Sequence, residues 1–235
     1  MSTFVIGDIH GEYEQLVTLI KKMNVAYDDD LYILGDVVDR GPNPIKTLKY
    51  LMTLPNCICI AGNHEIMALS CMKYMLNEVT ADFIKDISEE EIGKILEWNE
   101  NGAATTVAEF SKLSMEERND IIDFMEEFDA FAELEVNGID YILVHAGLAN
   151  FSKEKYIDEY SISELVWGRT DYSKPYYDDI IVVTGHTPTQ VIKENPRPGY
   201  IFKGNNHIAI DCCAFSEEGR LAGICLETGE EFYSR

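Results

Sequence analysis

The sequence predicts an α/β fold with a helical insertion. Three observations lead to this prediction: short apolar runs alternate with helical segments in the first third of the chain, a stretch rich in Glu, Lys, Ala and Met follows at about 77–129, and β-branched runs return from Phe131 onward. Strands that alternate with helices lie in parallel, because each helix carries the chain back to the start of the next strand. We therefore expect a largely parallel sheet with buried strands.

Three strand–helix pairs are predicted first. The strands are expected at 4–6, 31–34 and 57–61, and the helices at 11–24, 43–54 and from 63 onward. In the first helix, Leu16, Leu19 and Met23 recur at the spacing that places them on one face. Pro44 stands near the first turn of the second helix, where its missing N–H group has no helical acceptor to lose.

The insertion and the later strands are predicted from composition and turn residues. The insertion has few β-branched clusters, so we expect helices there with a break at Asn101–Gly102. Asn137–Gly138 joins two apolar runs and predicts a β-hairpin. The runs IIVVTGH, HIAIDC, RLAGICLE and EEFYS are expected to be strands. The last three are expected to close the fold in antiparallel orientation, and the whole chain, 1–235, is expected to form one domain.

Charge and composition exclude several classes of protein. The 235 residues carry a formal net charge of −23, from 42 acidic and 19 basic residues. No cluster of Lys and Arg is dense enough to follow a nucleic-acid backbone, so no nucleic-acid partner is expected. No apolar run reaches membrane-spanning length, and the first residues lack the features of a secretory leader. The six cysteines form no C-x-x-C pair, so reduced thiols in a cytoplasmic protein are expected.

Five apolar runs end in the same way, with metal-binding side chains just past the C-terminal end of the predicted strand. These side chains are Asp8, His10, Asp36, Asn63, His64, His145 and His186. In an open α/β sheet, binding sites form at that edge. Carboxylate, amide and imidazole ligands without a thiolate favour a catalytic site for Mn²⁺, Fe or Zn²⁺ over a structural zinc site. Because about six ligands exceed what one reactive ion needs, we predict two divalent ions that share a carboxylate, an arrangement that serves phosphoryl hydrolysis.

The residues around these strand ends form five motifs. They are Gly7-Asp8-Ile9-His10-Gly11, Gly35-Asp36-Val37-Val38-Asp39-Arg40-Gly41, Gly62-Asn63-His64-Glu65, His145-Ala146-Gly147 and Gly185-His186-Thr187. In this order they resemble the motifs of the phosphoprotein phosphatase family, within the calcineurin-like metallophosphoesterases. The short chain and Trp167-Gly168-Arg169 are most similar to the phage and bacterial branch of Ser/Thr protein phosphatases, although Cys213 stands where that branch usually has glycine. The resemblance implies a metallophosphoesterase-type β-sandwich flanked by helices.

The resemblance also implies a role for each site residue. Asp8 and His10 would bind the first ion, Asp36 both ions, and Asn63, His145 and His186 the second ion, with Mn²⁺ expected and Fe or Zn²⁺ as alternatives. His64 would protonate the leaving group as general acid, and Asp39 would orient His64. Arg40 and Arg169 would bind phosphate oxygens through charge-assisted hydrogen bonds.

These roles predict a metal-dependent phosphatase that acts on phosphomonoesters, with phosphoserine and phosphothreonine in proteins or peptides as the expected substrates. Water activated between the two ions would attack phosphorus directly. The alternative is hydrolysis of dinucleoside polyphosphates or RNA 5′ ends at the same site. Symmetrical dinucleoside tetraphosphate hydrolases of this superfamily usually lack an acid at the position of Asp39 and carry Asp at that of Glu65, so these two residues favour phosphomonoesters. A non-catalytic scaffold would be expected to lack a ligand or His64, and none is lacking.

Two further features keep alternative interpretations. His207 precedes a predicted strand and is expected to be structural, with a place in the lining of the pocket as the alternative. Residues 98–106 resemble the W-x-x-N-G-G-x-x-T stretch of bacterial members of the family, with Ala103 in place of a glycine. This segment is interpreted either as a helix that stops and restarts at Gly102 or as a cap that contacts the leaving group.

Overall fold

The computed structural model describes residues 1–76 and 87–235. The strands in this part of the chain are β1 (Thr3–Ile6), β2 (Asp30–Ile33), β3 (Cys57–Cys59), β4 (Phe131–Val136), β5 (Ile139–Val144), β6 (Ile180–Thr184), β7 (Phe202–Gly204), β8 (His207–Ala209), β9 (Ala222–Cys225) and β10 (Glu231–Tyr233). The α-helices are α1 (Tyr13–Met23), α2 (Pro44–Leu51), α3 (Asn63–Met72), α4 (Glu89–Glu100), α5 (Ala104–Phe110), α6 (Met115–Glu126) and α7 (Ile162–Val166). None of the described helices is both long and apolar enough to span a bilayer.

The described strands form two mixed five-stranded sheets. The first has the order β10-β9-β1-β2-β3, with β1, β2 and β3 parallel and the last two strands of the chain antiparallel. The second has the order β4-β5-β6-β8-β7, and β4 and β5 form the predicted hairpin at Asn137–Gly138. The parallel run β1–β3 confirms the interpretation of the first third of the chain as alternating strands and helices.

The predicted orientation of one strand is correct on one of its edges and wrong on the other. The run that begins at His207 was expected to be antiparallel, but β8 pairs in parallel with β6. On its other edge β8 pairs antiparallel with β7, a strand that the sequence did not predict. Asn205 and Asn206 both adopt positive φ, 52° and 54°, as a two-residue hairpin turn requires. This turn reverses the chain between β7 and β8, and so sets the direction of β8 along β6.

The two sheets enclose a shared apolar core. Val5, Leu34 and Ile60 from the first sheet and its loops form one buried cluster with Leu143 and Val183 from the second. This packing confirms the β-sandwich. The outer face of the first sheet is covered by helices, which contribute buried residues such as Leu16, Leu19 and Leu48. Because helices cover the outer face of the first sheet and the second sheet covers its inner face, polar side chains gather at the loops along the sheet edges.

The described part of the insertion is helical, as predicted. Ser88 and Ser114 cap α4 and α6, and each forms a capping box with a glutamate three residues later. The expected break lies between α4 and α5, where Gly102 has φ +102°. Residues 77–86, which also belong to the predicted insertion, lie outside the described residues.

Candidate metal centre and active site

The loops that follow β1, β2, β3, β5 and β6 meet at one place, as the sequence predicted. Asp36 lies at the centre of this meeting point. Its two carboxylate oxygens lie 3.5 Å from His10 Nε2 and 3.4 Å from His145 Nε2. Asn63 Oδ1 lies 3.1 Å from His145 Nε2. The predicted ligands therefore converge from strands of both sheets.

The backbone of this site is strained at several ligand positions. His10, Asp36 and His186 have φ values of 47°, 49° and 60°, which non-glycine residues seldom adopt. Such strain persists where surrounding contacts hold it, and it concentrates at functional sites. Gly185 shows how tightly the loops approach one another, because a Cβ atom there would overlap Asp8 Oδ1.

Two groups of side chains could each hold a divalent ion. In each group the donor atoms lie within 4.8 Å of one another; the groups are His10, Asp36 and His64, and Asp36, His145 and His186. Asp36 belongs to both groups, as expected of a bridging ligand. His64 lies close enough to be a ligand in the first group, but its Nδ1 is bound to Asp39 and we keep for it the predicted role of proton donor. Among the described residues, Asp8 belongs to neither group. It is buried beside the second group, because its carboxylate oxygens accept the His186 N–H at 3.0 and 3.1 Å.

The histidines present unprotonated nitrogens to the site. His10 Nδ1 and His145 Nδ1 contact the carbonyl oxygens of Val38 and Leu34, at 3.0 and 2.6 Å. A carbonyl can only accept, so each Nδ1 carries the proton and each Nε2 faces the site as a lone pair, as metal-binding histidines do. Burial lowers the pKa of His10 and of His186 to about 3, so both rings are neutral at pH 7.

Buried negative charge further indicates that the site suits cations. Burial raises the pKa of Asp8, and the neighbouring carboxylates of Asp211 and Asp36 raise it further. Burial also raises the pKa of Asp211 to about 6. Three buried carboxylates are unfavourable together unless positive charge is added. In addition, His186 Nε2 is buried and has no hydrogen-bond partner among the described residues. The residues therefore fit two divalent ions.

His64 and Asp39 form a fully buried pair beside this centre. His64 Nδ1 donates to Asp39 Oδ2 at 2.7 Å, and both side chains have no exposed surface. Burial alone would lower the pKa of His64, but the carboxylates of Asp36 and Asp39 outweigh it, so the pKa lies above the usual histidine value. The arrangement has the geometry expected of a proton donor and its orienting carboxylate.

Two arginines lie at the rim of the centre. Arg40 donates to His10 Nε2 at 2.9 Å and to His64 Nε2 at 2.8 Å, and its guanidinium stacks on Phe215 at 4.7 Å from the ring centroid. Arg169 donates to the carbonyl oxygen of His186 at 3.3 Å. Both arginines are exposed, so their donors can turn towards a substrate without breaking the core.

Two residues to which the sequence analysis assigned no role help to build the site. Glu65 is fully buried and holds the loop after β2, because its carboxylate accepts the backbone N–H groups of that loop. The donors are Asp36 at 2.7 Å, Val37 at 2.8 Å, Val38 at 3.2 Å and Gly62 at 2.9 Å. Asp211 was missed although it also follows a buried strand, which is the signal that identified the other acids.

The structure also places His207 and Cys213, about which expectations followed from the sequence. His207 stands at the start of β8, is buried, and bonds to the Lys174 carbonyl oxygen at 3.0 Å, so the structure agrees with a structural role. Cys213 adopts φ +61°, a conformation typical of the glycine it replaces. The Asp211 carboxylate accepts the Cys213 N–H at 2.8 Å and so supports this turn.

The fold and the site together define a metal-dependent phosphoester hydrolase of the two-sheet type. The chain belongs to the calcineurin-like phosphoesterase family, whose sequence pattern matches residues 1–216.

The relatives differ in the substrates that their names give. A symmetrical bis(5′-nucleosyl)-tetraphosphatase of Erwinia tasmaniensis is 32% identical over 118 residues, which cover 49% of this chain and 43% of that protein. The match thus spans less than half of the relative's length. A crystal structure of a candidate diadenosine tetraphosphatase superposes with a TM-score of 0.64 at 17% identity, over 98% of this chain and 91% of that one. A Saccharomyces cerevisiae protein serine/threonine phosphatase with similarity to human phosphatase PP5 gives 0.57 at 14% identity, over 99% and 79%. At these identities, the two structures show the fold alone.

Proposed function

We propose that this metal-dependent phosphoesterase hydrolyses dinucleoside polyphosphates, with a dinucleoside tetraphosphate as the substrate. The observation that carries the reaction class is the pair of donor groups that share Asp36 beside two exposed arginines. The choice of substrate is supported by the similarity to symmetrical tetraphosphatases. The sequence motifs favoured phosphoproteins over dinucleoside polyphosphates, whereas the similarity to tetraphosphatases supports the reverse order.

Two divalent ions, for which Mn²⁺ is the proposed metal, would supply Lewis acidity and an activated water when bound. The proposed ligands are Asp8, His10, Asp36, Asn63, His145 and His186. The protein holds these ligands through contacts that need no ion, such as the carbonyl contacts of His10 and His145. Ligands fixed in this way lose little freedom on binding, which strengthens the site.

The remaining side chains act on the phosphate and on the leaving group. Arg40 now donates to His64 Nε2, and a phosphate oxygen is a stronger acceptor for the same guanidinium. Once Arg40 turns to phosphate, His64 Nε2 is free to take up a proton from water, which the raised pKa of the ring favours, and to pass it to the leaving oxygen, while Asp39 keeps Nδ1 in place. Arg169 would bind a second phosphate oxygen from the opposite side of the centre.

A cavity next to Arg169 suits the rest of a nucleotide. Its volume is about 350 Å³, and its lining includes the aromatic rings of Phe151 and Tyr176 and the basic groups of Arg169 and Lys174. Aromatic rings stack on bases of any sequence, and Arg169 offsets the acidic surface near the phosphates. Lys174 is paired at 3.4 Å with Asp171, which also lines the cavity. The cavity therefore supports a substrate with a second nucleoside beyond the reacting phosphate.

A second candidate function is hydrolysis of phosphoserine and phosphothreonine in peptides. The buried pair of His64 and Asp39 favours it. An alkoxide leaving group needs a proton donor more than a nucleoside diphosphate does, because the diphosphate is the weaker base. The presence of a dedicated proton donor is therefore easier to explain for a phosphomonoester.

One assay separates the two candidates. The purified protein with Mn²⁺ is given diadenosine tetraphosphate, a phosphoserine peptide and p-nitrophenyl phosphate, and kcat/KM is measured for each. We expect the dinucleotide to be the best substrate by about tenfold or more, with two molecules of ADP as products. A peptide that is better by the same factor would establish the second candidate and reject the first.

The cavity is tested in the same assay. Phe151→Ala should lower kcat/KM for the dinucleotide by about 5- to 150-fold, since a stacked base contributes about 1–3 kcal/mol. The value for p-nitrophenyl phosphate should stay unchanged. Tyr156→Ala is the matched control, because this exposed ring lies in the same segment but outside the cavity lining. Equal losses on both substrates in Phe151→Ala would contradict the assignment of the cavity.

A further inference from the structure

The carboxylate of Asp39 is held by more than its histidine. It has no exposed surface and accepts three side-chain hydrogen bonds. One comes from His64 at 2.7 Å, and the other two come from the helical insertion: Trp98 Nε1 donates to Oδ2 at 2.8 Å and Thr106 Oγ1 donates to Oδ1 at 2.6 Å. Trp98 lies on α4 and Thr106 on α5, so two separate helices of the insertion converge on one acid.

The insertion also holds the backbone of the same loop. Thr106 Oγ1 accepts the Asp39 N–H at 3.0 Å while its own proton goes to the Asp39 carboxylate. The next residue, Arg40, donates its backbone N–H to the Gly102 carbonyl oxygen at 3.0 Å. Asp39 and Arg40 have φ values of 70° and 64°. Two consecutive non-glycine residues in this region cost about 1–2 kcal/mol each, so external contacts are needed to maintain them.

The backbone conformation at position 102 explains why the segment has a glycine at its turn. With φ +102°, it occupies a conformation that other residues avoid, and a Cβ atom there would lie 3.0 Å from Arg40 Cγ. Ala103, in contrast, has φ −62° and is buried in the apolar core, so the glycine of the related stretch is not required there. The segment from Trp98 to Thr106 is therefore built to approach Asp39 and Arg40 closely.

We propose that Trp98, Gly102 and Thr106 are positioning residues that align His64 with the leaving group. Trp98 and Thr106 act through Asp39, and Gly102 acts through the adjoining backbone of Arg40. We call these three residues the insertion clamp. The inference rests on the proposed function only in giving His64 the proton transfer; the hold on Asp39 is independent of the substrate. It differs from both interpretations in the sequence analysis, since the segment is more than a helix break and contacts the acid rather than the leaving group.

Variants of Thr106 test the clamp with little change of shape. Thr106→Val keeps the volume and removes both hydrogen bonds, whereas Thr106→Ser restores the hydroxyl. Thr105→Val is the matched control, because the Thr105 hydroxyl is buried and makes no hydrogen bond within the described chain. Trp98→Phe removes the indole N–H and keeps an aromatic ring.

Two substrates reveal whether the clamp acts through proton transfer. Phenyl phosphate has a leaving group that needs protonation, and p-nitrophenyl phosphate has one that hardly does. We expect Thr106→Val and Trp98→Phe to lower kcat for phenyl phosphate by about tenfold or more, and for p-nitrophenyl phosphate by about threefold or less. Thr106→Ser and Thr105→Val should resemble the unmodified protein, and bound metal should not change. Equal losses on both substrates, or no loss in Thr106→Val, would overturn the proposal.

A second measurement does not depend on catalytic activity. The His64 Nδ1 proton is held against a buried carboxylate and should give a slowly exchanging, low-field NMR signal. Thr106→Val should speed its exchange with water by about tenfold or more, and Thr105→Val should not. An unchanged signal in Thr106→Val would reject the clamp. If the unmodified protein hydrolyses no phosphate ester, the proposed function fails, and the NMR result still decides the clamp.

Discussion

Replacing Glu65 with glutamine tests how the loop that carries Asp36 is held. Each carboxylate oxygen of Glu65 accepts two backbone N–H groups, and the side chain is fully buried. Glutamine has one accepting oxygen, and its amide hydrogens would face the other two N–H groups. At least two of the four bonds are therefore lost. Because a hydrogen bond to a charged group contributes about 1.5–3 kcal/mol, the free energy of unfolding should fall by about 3–6 kcal/mol.

Urea unfolding measures this loss directly, at a pH well above the value of about 7 to which burial raises the pKa of Glu65, so that the side chain is charged. The fluorescence of Trp98 and Trp167 and the far-UV circular dichroism are followed in the presence of chelator, so that bound metal does not add stability. Glu109→Gln is the matched control, since Glu109 accepts the Ile45 N–H at 2.8 Å on a half-exposed surface where water can replace the bond. The control should lose about 1 kcal/mol or less.

A loss in Glu65→Gln as small as in Glu109→Gln would refute the reasoning, because it would mean that the carboxylate does not fix the loop. The expected loss is large against the total stability of a domain, which is typically about 5–15 kcal/mol. The variant should also bind Mn²⁺ more weakly than the control in a titration, since Asp36 is released together with its loop.

Three further predictions concern the metal centre and the turn at Cys213. Removal of metal with a chelator should abolish activity and Mn²⁺ should restore it, with about two ions per chain; His186→Ala should retain about one. Full activity after verified metal removal would contradict this. His64→Asn should lower kcat for phenyl phosphate by about 10²–10⁴ and leave the metal content intact, so a lost ion would show that His64 is a ligand. Cys213→Gly should raise the free energy of unfolding by about 1 kcal/mol, because it removes the strain of positive φ; a decrease would show that the thiol packing matters more.

The sequence by itself pointed to the candidate ligand residues through a local pattern. A buried strand must end where the chain leaves the core, and a polar residue next to a glycine at that point can only face the edge of the sheet. Asp8, Asp36 and His186 are all of this kind, and the structure brings them together. The parallel order of β1, β2 and β3 followed from equally local information, the alternation of apolar runs with helical segments.

Long-range pairing could not be derived in this way. The direction of β8 depends on the short hairpin that it forms with β7, and on its place beside β6. The role of Glu65 was invisible for the same reason, because its four partners are backbone groups that carry no side-chain signature in the sequence.

The contact between the insertion and Asp39 was decided only by the tertiary structure. Trp98 and Thr106 lie 59 and 67 positions after Asp39, and the sequence offered two interpretations of their segment, neither of which included this acid. A buried carboxylate must find donors wherever the packed chain supplies them, and which donors come within reach is set by how α4 packs against α3 and α5 against α2. The sequence therefore determined which residues could bind metal and phosphate, and the packing of distant elements determined how those residues are held.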